Sequence, residues 1–440
     1  MSKNVNRFLS VLFLLMAALT VMAQSRRPID SKHPLWLIHI DVWNSADPQK
    51  IIDLIPEDIK PYVCMNLSLS CQFDAWEDDK KKDKPGTQMY RMPRNAVKTY
   101  KSWATVCQQN GLWFSCQPAS GGKTHIQDND LETFEYFFKT YPNFLGWNYA
   151  EQFWAFGDAG DMSSQTKSSR WKLFANLVEM SHKYGGFLTV SWCGGIYHFD
   201  TDPIAQLKSE PRFLEACKKY PEAMVFLYKY THCSSFYNNE SCCIGPFISG
   251  LTKNYGVRYD NCGYNDMLKK VLGENHGKKY PGSAGIGTVM EQTCVNGGAV
   301  WDGPELIWTE DFQNISDTNV DGYTRRNWGT FANFKGIWLD MWRRIIDGTM
   351  YVPTREEVVA KTKAVLVHNA SEDFKVPDAL YDGLYKVTDP GNPGDGRWEN
   401  NLWYLKSSGR YGTIPMVTGL YDEVAKAIPV QVNKSAYSSR

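Results

Sequence analysis

Residues 144–193 decide the fold. They open on Phe144–Ala150 (FLGWNYA), continue through Ser169–Tyr184 (SRWKLFANLVEMSHKY), and return to Phe187–Cys193 (FLTVSWC). The two flanking runs are nearly continuous apolar and aromatic stretches rather than alternations. That pattern belongs to strands covered on both faces, as in a parallel sheet. The middle segment has helical periodicity, with Leu173, Phe174, Leu177, Val178 and Ser181 on one stripe, and Gly185-Gly186 ends it. The unit is therefore strand, helix, parallel strand.

The same rhythm extends outward in both directions. Upstream lie Leu35–Val42 (LWLIHIDV), Tyr62–Leu69 (YVCMNLSL) and Leu112–Gln117 (LWFSCQ). Downstream lie Met224–Tyr230 (MVFLYKY), Gly256–Asp260 (GVRYD) and Ala299–Glu305 (AVWDGPE). Helix-like stretches separate them at Arg94–Asn110, Leu131–Thr140 and Pro203–Tyr220, and Ile337–Ile346 and Arg355–Val367 follow the last run. Eight strands alternating with helices imply an α/β fold, a closed (β/α)8 TIM barrel, with an open doubly wound sheet as the alternative. Gly282, Gly285 and Gly287 neither follow a strand nor open a helix, so they do not make a dinucleotide fingerprint.

The domain reading is a signal peptide over 1–23, the barrel over 33–371, and a C-terminal extension over 372–440. That extension either packs on the barrel or begins a β-sandwich. Lys3 and Arg7 precede an apolar run ending in Val21-Met22-Ala23, which reads as an export signal. The expected location is therefore the periplasm, cell surface or extracellular space. No later run is long enough to span a membrane. The tail includes a turn-rich stretch, Asp389–Gly396, and strand-like pieces at Asn401–Leu405 and Thr413–Val417.

Lys plus Arg number 48 and Asp plus Glu number 48, so the net charge is zero and no basic block offers itself to phosphates. Nucleic acid and anionic membrane are therefore poor partners. The 16 Trp and 24 Tyr suit both a large core and sugar binding, where rings pack on apolar sugar faces. The 11 cysteines show no metal spacing and read mainly as buried thiols. Any bridge is expected among Cys233, Cys242, Cys243 and Cys262. No HExxH, His cluster or calcium-type loop appears, so neither metal nor cofactor is expected, and the protein reads as a monomer.

Barrel enzymes carry their chemistry at the C-terminal strand ends. Those positions hold Asp41 and Trp43, Asn66, Gln117, Asn148, Tyr149 and Glu151, Trp192, Lys229, Asp260, Asp302 and Glu305. A ring of carboxylates, amides and aromatics without a nucleophilic Ser or Cys supports glycosidic cleavage. One carboxyl protonates the leaving oxygen and another activates water or attacks the sugar. Glu151, Asp260 and Glu305 are the catalytic candidates. Glu291, Asp302, Glu310 and Asp311 compete with Glu305, and His39 and His198 read as structural. Phe153 and Trp154 suggest an apolar wall that would favour the protonated form of Glu151. Asp41, Trp43, Asn66, Gln117, Asn148, Tyr149, Trp192 and Lys229 are the candidate substrate contacts.

Several blocks in order resemble glycoside hydrolase family 98: Pro34–Asn44 with Asp47–Ile52, Tyr62–Ser70, Gly146–Glu151, Gly256–Asp260 and Gly297–Glu305. The resemblance covers roughly residues 33 to 420. It implies inverting endo-hydrolysis of blood-group A and B glycans at a β-1,4-galactosyl linkage, or of decorated xylan. It places the general acid at Glu151 and the base at Asp260, assisted by Glu305 or Glu310. A retaining enzyme with Asp260 as nucleophile and a barrel that binds glycan without cutting are the competing readings.

Overall fold

The apolar runs become eight strands: β1 (Leu35–Asp41), β2 (Val63–Ser68), β3 (Trp113–Ser120), β4 (Phe144–Ala150), β5 (Phe187–Trp192), β6 (Met224–Tyr230), β7 (Asn254–Tyr259) and β8 (Val300–Glu305). Each pairs in parallel with the next, and β8 pairs in parallel with β1. The sheet is closed, which excludes the open doubly wound arrangement. The computed structural model describes residues 26–41, 48–68, 96–152, 156–157, 165–192, 203–230, 236–259, 286–305, 317–320, 323–326, 338–363, 365–368, 415–418 and 431–433. No helix among them is long and apolar enough to cross a membrane.

The helix after β4 spans Lys167–Tyr184. Thr166 caps its start by accepting the Ser169 N–H, and Gly185 ends it at φ 70°. The stretch read as one helix over Pro203–Tyr220 is two, Pro203–Ser209 and Pro211–Lys219. Pro211 lacks the N–H that would continue the first and suits the first turn of the second. The helix expected over Arg355–Val367 stops at Lys361, and Val365–His368 is instead a strand paired in parallel with Met416–Thr418 and Gln431–Asn433. That separate three-stranded sheet draws on segments far apart in the chain.

Two apolar layers flank the barrel wall. Outside, strand side chains meet the helices in a large cluster that includes Trp36, Trp147, Trp301, Trp338 and Trp342. Trp36 stacks on Trp338 and Trp342 with ring centroids 5.5 and 5.7 Å apart. These tryptophans are core. Inside, Leu35, Leu37, Cys64, Leu145, Phe187, Val225, Leu227 and Val300 plug one end of the barrel. Further along the same strands the inward positions turn polar: His39, Asn66, Asn148, Thr189, Lys229 and Asp302, all buried. Because all eight strands run the same way, that polar layer faces the C-terminal mouth, where barrel chemistry sits.

Strand β4 slips its alternation to achieve this. Leu145 points inward, Trp147 packs outward on Phe134, and Asn148 points inward to Asp302. The slip occurs at Gly146, whose φ of 155° side chains rarely adopt and whose missing Cβ would lie 1.8 Å from the Phe187 carbonyl oxygen. Gly146→Ala is therefore expected to cost about 2–3 kcal/mol, read as a lower urea midpoint at an unchanged m-value. A midpoint equal to that of the unsubstituted protein would refute the close approach.

The cysteine reading is answered in part. Cys64, Cys107, Cys116, Cys217 and Cys294 are buried free thiols. Burial pushes the Cys107 thiol up to about 12. Cys242 and Cys243 are buried too, while Cys233 and Cys262 lie outside the described residues.

Candidate active site

Glu151 stands immediately after β4 at the C-terminal mouth. Its side chain keeps 25 % exposure, while Lys229 beneath it keeps 3 %. It is the one non-glycine residue with positive φ among those described, at 52°. Left-handed backbone disfavours an L-residue, so neighbouring contacts must hold it. The carboxylate accepts the Ser120 hydroxyl at 2.9 Å from the end of β3 and pairs with the Lys229 ammonium from β6. Its backbone N–H reaches the Ser191 hydroxyl of β5 at 3.3 Å.

Phe153 and Trp154, the basis of the expected apolar wall, lie outside the described residues, while among the described ones the carboxylate meets the Lys229 ammonium and the Ser120 hydroxyl. An ammonium in contact favours the ionised carboxylate. Lys229, expected as a substrate contact, is a partner of Glu151.

Below Glu151 lies a charged layer that the sequence reading did not assemble. Asp302 is fully buried, and its Oδ2 accepts hydrogen bonds from Arg258 Nη1 at 2.8 Å and Asn148 Nδ2 at 2.9 Å. Arg258 also donates to Gln117 Oε1 at 2.8 Å and lies 3.0 Å from His39 Nδ1. A guanidinium has only hydrogens to offer, so Nδ1 accepts. Asn66 donates to Gln117 at 3.2 Å, and Gln117 donates to Ser68 at 3.2 Å. Asn66, Gln117 and Asn148 thus make hydrogen bonds within this layer and to the ion pair. Asp302, a competitor for the base role, is spoken for by Arg258, and His39 sits in this layer as a structural residue.

The remaining candidates divide plainly. Tyr149 points the other way, out of the barrel: its ring meets Phe174 at 5.0 Å and lies under the Arg170 guanidinium at 4.8 Å. Burial pushes its phenol well above the usual range. Asp41, Trp192 and Glu305 are strand-end residues of β1, β5 and β8, with side chains outside the described set. Trp43, Asp260, His198, Glu310 and Asp311 lie outside the described residues. Glu291 is exposed on the Ile286–Val295 helix. Among the described residues, no three His, Cys, Asp or Glu side chains gather as a metal-ion cluster.

A closed parallel barrel with an apolar plug, a polar inner layer and a part-exposed carboxylate at its C-terminal mouth defines the class: a (β/α)8 barrel of the glycoside hydrolase type. The model of the family described as "Glycosyl hydrolase family 98" matches residues 23–353, and that of its C-terminal domain matches residues 355–440. The chain belongs to glycoside hydrolase family 98. Among solved structures it is similar to the catalytic module of a family 98 glycoside hydrolase from Streptococcus pneumoniae TIGR4 in complex with the H-disaccharide blood group antigen. That match has 18 % identity and a TM-score of 0.64, covering 94 % of this chain and 68 % of the other. The same module with the LewisY pentasaccharide gives 19 % identity and a TM-score of 0.60, covering 92 % and 69 %. At such identities the likeness supports the fold alone. No curated protein matches the chain.

Proposed function

We propose that this chain is an exported, inverting endo-glycosidase, an endo-β-1,4-galactosidase acting on blood-group-type glycans. The observation that carries the reading is Glu151. It is a part-exposed carboxyl at the barrel mouth, in a left-handed backbone and contacted by residues of three other strands. In this reading Glu151 protonates the leaving oxygen, while Asp260 with Glu305 takes the proton of the attacking water. Family membership supports the chemistry. The blood-group antigens bound to the pneumococcal modules support the glycan class.

The test of mechanism is proton NMR of the first product's anomer. An inverting enzyme releases the anomer opposite to that of the bond cleaved, and retention would sink the assignment. The test of substrate is turnover of blood-group oligosaccharides against arabinoxylan, read by chromatography. Cleavage of xylan alone would move the reading to an endo-xylanase. Binding of either glycan without cleavage would make the barrel a non-catalytic binder.

An acid must be protonated to donate, so its contact with Lys229 opposes the working state. Lys229→Met removes that opposition. It is expected to move the alkaline limb of the kcat/KM profile to higher pH, because activity is lost where the acid ionises and the ammonium favours ionisation. An unmoved limb would show that Lys229 leaves Glu151 before the proton is transferred.

A further inference from the structure

Two buried side chains, Arg170 and Gln152, converge on the turn that carries Glu151. Arg170 projects from the Lys167–Tyr184 helix outside the barrel wall, and its side chain has no exposure. Its Nε donates to both oxygens of Asp128, at 3.0 and 3.1 Å. An anchor of helix to loop would need no more than that. Yet Nη1 goes further and donates to the Gly121 carbonyl at 2.9 Å and to Gln152 Oε1 at 2.7 Å.

Gln152 completes the circuit. It is fully buried and follows Glu151 directly. Its Nε2 donates to the Gly121 carbonyl at 3.1 Å and to the Ala150 carbonyl at 2.5 Å. The Gly121 N–H donates to the Ala150 carbonyl at 2.9 Å, and the Gln152 N–H donates to the Ser191 carbonyl at 3.1 Å. The residues on both sides of Glu151 are therefore tied to β5 and to the turn after β3. Ser120, whose hydroxyl meets the Glu151 carboxylate, is the neighbour of Gly121. Arg170 thus holds the backbone that aims the carboxyl and also the strand end that contacts it. A planar fork suits this task, because one rigid group satisfies an amide oxygen and a carbonyl together.

We propose that Arg170, with Asp128 and Gln152, is a positioning device that keeps Glu151 in its left-handed conformation for proton donation. The inference rests on the reading of Glu151 as the general acid. It makes Arg170 and Gln152 positioning residues, acting only through Glu151.

The test uses Gln152→Met and Arg170→Lys in the full chain. Each is assayed on a blood-group oligosaccharide and on the 2,4-dinitrophenyl β-glycoside of the same glycone. The dinitrophenolate departs without a proton, so a misplaced acid is felt only on the oligosaccharide. The expected result is a kcat about 100-fold lower on the oligosaccharide with KM within about threefold, and a change of less than about threefold on the aryl glycoside. Equal losses on both substrates, or no loss on either, would overturn the proposal. If Arg170→Lys does not fold, Gln152→Met decides alone, since it leaves the Arg170–Asp128 pair whole. If Gln152→Met does not fold, the circuit supports the barrel rather than the acid and the proposal falls. Glu151→Gln on the same two substrates separates the two readings. Full oligosaccharide turnover there removes the acid assignment itself, whereas a selective loss there with unaffected Gln152→Met removes only the positioning device.

Discussion

Glu151→Gln is expected to lower oligosaccharide turnover by about 10⁴-fold, at the upper end of what a general acid contributes. The leaving group is a hydroxyl of the next sugar, which departs poorly as an alkoxide, so the proton matters as much here as anywhere. Glutamine keeps the shape and can still accept the Ser120 hydroxyl, so substrate binding should persist and KM should change little. Asp260→Asn and Glu305→Gln are expected to cost less, about 100-fold each, because the surviving carboxylate of the pair still accepts the proton of water. Their double variant should lose more than the product of the two single losses, since each single variant keeps one carboxylate to take the proton and the double variant keeps none. Steady-state kinetics on a single blood-group oligosaccharide checks all four proteins. A Glu151→Gln enzyme within tenfold of the unsubstituted one would exclude Glu151 as the acid, whatever the other variants do.

The barrel was legible because its strands carry their burial on both faces. FLGWNYA and MVFLYKY have few polar positions to confuse a reader, and the Leu173–Ser181 stripe between β4 and β5 has one apolar face. What escaped depended on contacts or on length. Lys123–Thr124 pairs back on the end of β3 over two residues, too few to leave a pattern. The Phe236–Ser249 helix contains Pro246 and a polar start, which leave no clear helical pattern in the sequence. Val365–His368 is a strand only because residues about 50 and 65 positions later lie beside it.

The site was legible to a similar degree. That Glu151 follows a strand can be read directly, as can the place of Asp260 and Glu305 in the chain. Its φ of 52°, the Lys229 contact and the Arg170 circuit join segments up to 78 positions apart, and no local pattern encodes them. One signal was present and unused. Arg258 and Asp302 are charged residues inside apolar strands, and a buried charge requires a partner. The two strands are neighbours in a closed barrel, with Arg258 and Asp302 in register, so each is the nearest answer to the other.

That pair sets the largest stability effects. Asp302→Leu is expected to destabilise the fold by about 3–5 kcal/mol, because it strands the Arg258 guanidinium in a site with almost no solvent. Arg258→Met should cost a similar amount by stranding Asp302. Against a folding free energy of about 5–15 kcal/mol, either loss is a large share. The double variant should fall well short of the sum, since an apolar pair of similar volume removes both desolvated charges at once. It will not recover fully, because Gln117 and Asn148 lose the partners that now satisfy them. Urea unfolding of the four proteins measures the cycle. Strict additivity would mean that Arg258 and Asp302 are each held mainly by their other neighbours. The polar layer would then be a set of separate hydrogen bonds beneath the mouth, rather than a floor built around one ion pair.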